Sequence, residues 1–135
     1  MKPLNRFADS VYCLLRLLAG LMFACHGGDK IFGAFGGKIA MAPLMQFGGW
    51  IELACGLLIA IGLLTRIAAF LASGMMAVAY FMAHAKGGFF PIVNHGEAAV
   101  LYSWLFFFIF FYGPGRWSID ALWSRPAASS APGTR

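Results

Sequence analysis

The sequence predicts an all-α membrane protein, a four-transmembrane-helix bundle. Of its 135 residues, 61% are hydrophobic and only 11% are charged, and its mean hydropathy is +0.77. Soluble domains carry about a quarter charged residues, so this composition is typical of a membrane protein. The apolar residues fall into four runs separated by glycine, proline or charged residues. Because a spanning helix needs about 20 residues, the length accommodates four spans and no second domain.

The first predicted span covers about residues 8–25 and ends at the glycines that follow His26. We expect the next segment, 26–41, to be a loop at the membrane surface because it is rich in glycine. Proline suits the first turn of a helix, so Pro43 predicts a second span over 42–64.

The third predicted span, 67–84, follows the second almost at once, which indicates an antiparallel helical hairpin. The fourth starts near Glu97 and ends before Gly113, where glycine and proline cannot continue a helix. A short interfacial helix is expected just beyond it. We therefore expect one four-helix domain over residues 1–123 and a disordered tail over 124–135, which contains the run PAASSAPGTR.

Two charges lie within the predicted spans, Arg16 in the first and Glu52 in the second. A charge at the centre of a bilayer costs roughly 2.5–3.5 kcal/mol, so each is expected to have a partner. Arg16 lies ten residues before His26, and Glu52 lies nine residues after Pro43. At the rise of an α-helix these are depths of roughly 15 Å and 13 Å. We therefore predict a buried Arg16–Glu52 ion pair, which either floors a polar pocket or only fixes helix register.

Further polar groups fall at the outer ends of the predicted spans. We expect them to form the mouth of a pocket above that pair. No spacing in the sequence fixes two metal ligands on one helix face, so no metal site is predicted. The predicted mouth consists of His26, Lys30, His84, Asn94, His95 and Glu97.

Several functions are disfavoured by the sequence. The ten Lys and Arg residues are dispersed singly, so nucleic acid is not an expected partner. Cys13, Cys25 and Cys55 lie within or at the ends of spans without a metal-type spacing and are expected to pack as small apolar residues. There is no Walker A, G-x-G-x-x-G or Ser-His-Asp pattern, so no stand-alone catalytic motif and no catalytic residue is assigned.

Four segments carry a family resemblance: LLRLLAGLMFACHGGDKIFG, GGWIELACGLLIAIGLLTR, NHGEAAVLY and GPGRWSID. With these segments in this order, the chain resembles the DoxX family of small four-span bacterial membrane proteins from Leu14 to Asp120. The resemblance implies an inner-membrane protein. Counting Lys and Arg gives six on one side of the predicted bundle and three on the other, so both termini are expected in the cytoplasm.

The resemblance also implies a link to redox chemistry. We expect a redox-associated accessory subunit, with a periplasm-facing pocket for a quinone or a small sulfur compound, that works beside a partner oxidoreductase in the lipid bilayer. The alternative is a non-enzymatic module for small-solute transport or membrane scaffolding. A homo-oligomer would supply the symmetry that transporters use and that this single chain lacks. The sequence leaves these alternatives open.

Overall fold

The computed structural model describes residues 2–124, with side chains from Phe7 onward. All its regular elements are helical, and residues 2–124 contain no strand, which confirms the predicted all-α class. Of the predicted disordered tail, all but Ser124 lies outside the described residues. The helices are α1 (Lys2–Phe32), α2 (Pro43–Ile61), α3 (Thr65–Ala79), α4 (Pro91–Asn94), α5 (Glu97–Tyr112) and α6 (Ile119–Trp123).

Three helical segments are long and apolar enough to cross a membrane: Phe7–Phe32, Pro43–Ile61 and Thr65–Gly87. The third consists of α3 and the turns that continue it. The apolar helix α5 is shorter, at 16 residues. The outer surface of the bundle is lined by large apolar side chains, and Met22, Phe70 and Trp104 are each more than half exposed. Such a surface suits lipid, and the chain is a small helical membrane protein.

The helices pack as two pairs, α1 along α2 and α3 along α5, and contacts between α2 and α3 join the pairs. On the other side, the ring of Phe23 in α1 lies 4.7 Å from that of Phe106 and 5.4 Å from that of Tyr102, both in α5. These aromatic contacts close the bundle. Its core contains Phe23, Phe106, Ile59 and Ile109, all fully buried.

Helix α1 continues past its predicted end. The sequence predicted that the glycines after His26 end the first span, and this is wrong, because α1 runs on to Phe32. Gly27 is instead a contact point with α2, where an added Cβ would lie 2.5 Å from the Gly49 oxygen. Glycine lets two helix backbones approach closely, so it can serve packing inside a membrane helix as well as ending one. The predicted loop is correspondingly shorter.

The same packing extends along the α1–α2 interface. A Cβ on Gly20 would lie 2.5 Å from the Ala60 nitrogen, and a Cβ on Gly56 would lie 2.5 Å from the Ala24 nitrogen. The backbones of α1 and α2 are therefore in contact at two further levels in addition to that of Gly27. These contacts fix how far α1 is displaced along α2, and thus which side chains of the two helices lie at the same depth.

The predicted hairpin between the second and third spans is confirmed. α2 ends at Ile61, Gly62 adopts a left-handed conformation at φ +72°, and α3 begins at Thr65. The far end of α3 departs from the α-helix in a π-helical turn, Tyr80–His84, and a 3₁₀ turn, Ala85–Gly87. The short helix predicted to follow the fourth apolar run is present as α6.

Candidate functional site

Glu52 of α2 is buried, with 4% of its surface exposed. Its partner is Lys30 in the last turn of α1, whose Nζ lies 2.5 Å from Glu52 Oε1. The predicted ion pair between Arg16 and Glu52 is therefore wrong in its cation. The buried carboxylate does have a charged partner, as expected, but that partner is a residue predicted to lie in the loop after the first span.

The predicted pair depends on a first span that ends at His26. α1 instead continues for six residues to Phe32, or roughly 9 Å further. Lys30 therefore belongs to the helix and lies opposite α2. Arg16 instead meets α2 at Ile59, seven residues and roughly 10 Å along the helix from Glu52.

Arg16 caps the end of α2. Its guanidinium is buried and donates to the carbonyl oxygens of Ile59 and Ala60, the latter at 2.9 Å, and to that of Trp117 at 2.6 Å. The last carbonyls of a helix have no partner within it, and a cation also complements the negative end of the helix dipole. Arg16 therefore holds α2 to the segment before α6 and is not part of the floor of a pocket.

Two more charged side chains cap helices at this end of the bundle, here called the Arg16 end. Arg66 donates to the carbonyl oxygens of Phe110 and Phe111 in the last turn of α5, at 2.7 and 3.1 Å. Asp120 accepts hydrogen bonds of 2.9 Å from the backbone N–H groups of Leu64 and Thr65 at the start of α3. Sequence reasoning missed these caps, although Arg66 and Asp120 stand in the segments that carried the family resemblance.

The electrostatics of Asp120 follow from these contacts. Burial alone raises the pKa of its carboxyl, but the hydrogen bonds from Thr65 and Leu64 favour the charged form and outweigh that effect. The net result is a pKa below the ordinary value of an aspartate. The carboxylate is therefore stabilised in its charged form at the start of α3.

A cavity of about 160 Å³ lies at the opposite end of the bundle, next to Glu52. It is called the polar cavity here. Five of the predicted site residues line it, Glu52 and four from the predicted mouth. The lining consists of Phe23, His26, Lys30, Glu52, Met76, His84, His95, Ala98, Ala99 and Tyr102.

Two predicted mouth residues do not line the polar cavity. Asn94 lies behind it, where its side chain donates to the Gly88 oxygen at 2.7 Å and accepts from the Gly96 N–H at 2.8 Å. The carbonyl oxygen of Asn94 lies 3.2 Å from His84 Nδ1, so Asn94 supports a lining residue. Glu97 is exposed at the first position of α5, where a carboxylate is favoured by the helix dipole.

Two polar atoms at the polar cavity have no partner. Among the described residues, three buried side-chain atoms have no hydrogen bond: Arg16 Nε at the Arg16 end, and Glu52 Oε2 and the Tyr102 hydroxyl at the polar cavity. A buried polar atom without a partner costs about 1–3 kcal/mol, so such atoms mark places where a further molecule can bind. Sequence reasoning did not single out Tyr102, although it is the last residue of the segment NHGEAAVLY.

The polar cavity is closed toward the Arg16 end. Phe106 and Ile109 follow Tyr102 along α5 toward that end, and both are fully buried in the core. The polar cavity therefore does not continue through the core to the Arg16 end. Within residues 7–124, the His, Cys, Asp and Glu side chains form no group of three placed to hold a metal ion.

The fold and the site together define a small helical membrane protein with a polar pocket built around a buried carboxylate. The family model of DoxX matches residues 11–85, more than half of the chain. The chain belongs to the DoxX family, which confirms the resemblance found in the sequence.

Two bacterial proteins are similar to this chain over most of its length. A protein of Haemophilus influenzae described as uncharacterized is 38% identical over 128 residues, which cover 89% of this chain and 96% of the relative. An uncharacterized membrane protein of Mycobacterium tuberculosis is 32% identical over 139 residues, which cover 89% of this chain and 85% of the relative. No solved structure gives a significant match.

Proposed function

We propose that this protein is a redox-associated accessory subunit that binds a quinone head group or a small sulfur compound in the polar cavity. The observation that carries the proposal is the pair of buried, unpartnered atoms, Glu52 Oε2 and the Tyr102 hydroxyl, on one cavity. An apolar cavity of about 150 Å³ is known to hold benzene, so a single ring fits a space of about 160 Å³.

The chain has groups that could bind and exchange protons with such a ligand. Glu52 and His84 accept protons and hydrogen bonds, and Lys30 carries hydrogen-bond donors at the partly exposed rim. Electron transfer needs a redox group that these side chains do not supply. We therefore propose that a partner oxidoreductase supplies it. The exposed apolar faces, which include Trp104 and Phe111, offer that partner or a second copy a surface within the bilayer.

We propose further that the protein lies in the bacterial inner membrane, with the cavity toward the periplasm, both termini in the cytoplasm and α5 as a fourth span. The excess of Lys and Arg on the side of the termini supports this orientation. A fluorescent reporter that folds only in the cytoplasm, fused after Ser124, is expected to be bright. If this fusion is dark, and a reporter that works only in the periplasm is bright at the same site, the orientation is the opposite of the one proposed.

Binding fits the shape of the site better than transport does. A transported solute needs a path to both sides of the membrane, but buried Phe106 and Ile109 separate the polar cavity from the Arg16 end. The transport alternative would need these side chains to move. A scaffolding role would use only the exposed apolar faces of the bundle and would not account for the polar cavity.

The test is the thermal unfolding of the purified full-length protein with ubiquinone-1, ubiquinol-1 or thiosulfate. At least one of them is expected to raise the unfolding temperature of the natural protein. The shift is expected to vanish in Glu52→Gln and to persist in Glu97→Gln, which makes the same change at an exposed carboxylate outside the cavity. The absence of a shift with all three ligands would refute the proposal.

A further inference from the structure

We propose that the polar cavity selects a neutral aromatic ring that donates two hydrogen bonds, and therefore prefers a quinol head group to a quinone or an anion. The inference rests on the proposed function and narrows its ligand. It follows from which hydrogen-bonding atoms of the cavity are already used and which are free.

The first free atom is on Glu52. Its Oε1 is taken by Lys30 Nζ at 2.5 Å, whereas its Oε2 is buried and unpartnered. A carboxylate oxygen only accepts hydrogen bonds. Because Glu52 is 4% exposed, bulk water reaches that oxygen poorly. A ligand that occupies the cavity must therefore offer Oε2 a hydrogen.

The second free atom is on His84. Its Nδ1 lies 3.2 Å from the carbonyl oxygen of Asn94. A carbonyl only accepts, so Nδ1 carries the hydrogen, and in the neutral ring Nε2 is left as an acceptor. The position of the carbonyl is fixed, because the Asn94 side chain bonds to Gly88 and Gly96 on either side of it. The fold thus selects the tautomer of a residue that lines the cavity.

The third free atom is the Tyr102 hydroxyl, which both donates and accepts. The cavity therefore offers two acceptors, Glu52 Oε2 and, in the neutral ring, His84 Nε2. The Tyr102 hydroxyl and the rings of His26 and His95, which also line the cavity, can donate or accept. The remaining hydrogens of Lys30 lie on a side chain that is 38% exposed, at the rim. A quinone, whose two oxygens only accept, cannot satisfy the two acceptors. An anion such as thiosulfate would in addition be repelled by the negative charge of Glu52.

The walls favour a flat ring. Four lining residues are apolar, and the ring of Phe23 lies 5.4 Å from that of Tyr102. Aromatic side chains at such distances stack well against a further ring. A ring with hydroxyl groups at opposite ends combines apolar faces with two donors. The apolar lining residues are Phe23, Met76, Ala98 and Ala99.

A matched series of ligands tests the inference. Hydroquinone, 4-methoxyphenol and 1,4-dimethoxybenzene share one ring but carry two, one and no donors, and none of them adds to thiols. Their affinities for the purified full-length protein are measured by calorimetry. The expected order is hydroquinone, then the phenol, then the diether, with hydroquinone bound roughly 10- to 100-fold more tightly than the diether. Thiosulfate is expected to bind more weakly than hydroquinone.

Two variants locate the binding. Tyr102→Phe removes only the free hydroxyl and is expected to weaken hydroquinone binding roughly three- to tenfold. Tyr112→Phe is the matched control, because its hydroxyl bonds to Asp9 at the Arg16 end and lies outside the cavity. It is expected to bind hydroquinone like the natural protein.

The outcomes separate the inference from the proposed function. Equal affinities for hydroquinone and the diether, or no effect of Tyr102→Phe, would overturn the inference. If ubiquinone-1 still stabilised the protein in that case, the proposed function would stand without it. Failure of every ring compound, of ubiquinol-1 and of thiosulfate to bind would refute both. If ubiquinol-1 binds at least tenfold more tightly than ubiquinone-1, the result supports both the inference and the proposed function.

Discussion

Lys30 and Glu52 join the last turn of α1 to the middle of α2, with Nζ and Oε1 2.5 Å apart. The two charges differ in their surroundings. The carboxylate side chain is 5% exposed and the lysine side chain is 38% exposed, so the lysine reaches inward from the rim to a fixed, buried charge. This arrangement pairs Oε1 with the lysine and leaves Oε2 free for a ligand.

Lys30→Met is expected to destabilise the protein by about 2–3 kcal/mol, because it leaves a buried carboxylate without its partner. The value is below that for a fully buried pair because Lys30 is partly exposed. The double variant Lys30→Met, Glu52→Leu is expected to recover most of the loss. The measurement is thermal unfolding in detergent. A double variant as unstable as the sum of its single variants would show that the two charges are not coupled.

Arg16→Met is expected to cost about 2–5 kcal/mol, because three backbone carbonyls lose a hydrogen bond from a buried guanidinium. Of these, the carbonyl of Ile59 keeps a second donor, the Gly62 N–H. Its effect is expected to be additive with that of Glu52→Leu, since the two side chains meet α2 roughly 10 Å apart. A double-mutant cycle followed by thermal unfolding checks this. A coupling energy above about 1 kcal/mol would restore the ion pair that the sequence suggested.

Gly20→Ala is expected to destabilise the bundle by about 1–3 kcal/mol, because the new methyl group would meet the backbone of α2. Gly74→Ala is the matched control. Gly74 also lies within a helix, but nothing lies within 4 Å of a Cβ built there. Alanine at that site is expected to be neutral or to stabilise by up to about 1 kcal/mol. Similar losses in both variants would mean that helix contact is not the cause.

Asp120→Ala is expected to cost about 0.5–2 kcal/mol at neutral pH, because α3 loses the acceptor at its first turn. The pKa of Asp120 is lowered in the folded protein, so its contribution is complete above the unfolded-state pKa of about 3.9. It is lost as the pH falls through the lower folded pKa. The measurement is the unfolding temperature of the natural protein and of Asp120→Ala between neutral and acidic pH. The two temperatures should converge at acidic pH. A gap that stayed constant would contradict this account.

Tyr102→Phe is expected to leave the ligand-free protein as stable as before, or more stable by about 1 kcal/mol, because it removes an unpartnered buried hydroxyl. The expected loss of ligand affinity would then not come from misfolding. Thermal unfolding without ligand is the measurement. A clear loss of stability would mean that an ordered water already satisfies the hydroxyl in the folded protein.

Much of the fold could be predicted because it depends on local composition. The apolar runs predict the four packed helices, and the glycine and proline residues that flank the last run predict the ends of α5. The end of α1 could not be predicted in this way. Gly27 looks like a residue that ends a helix, and only its contact with Gly49 of α2 shows that it lies inside one.

The site could be predicted in part for the same reason. Histidines at the ends of apolar runs must lie near one membrane surface, so His26, His84 and His95 were expected together, and they line one cavity. Tyr102 and Asn94 could not be given their roles. A tyrosine within an apolar helix is common, and its free hydroxyl is visible only once the neighbouring helices are in place.

By itself the sequence determined the helical membrane class, the family and the need of Glu52 for a cation. Composition and hydropathy suffice for the membrane class and for the need of a partner, because these depend on transfer of single residues from water to lipid. The family follows instead from the four segments and their order. Only the tertiary structure decided that the cation is Lys30 and that Arg16 caps α2. The partner depends on how far α1 is displaced along α2, and contacts such as Gly20 against Ala60 set that displacement between residues far apart in the chain.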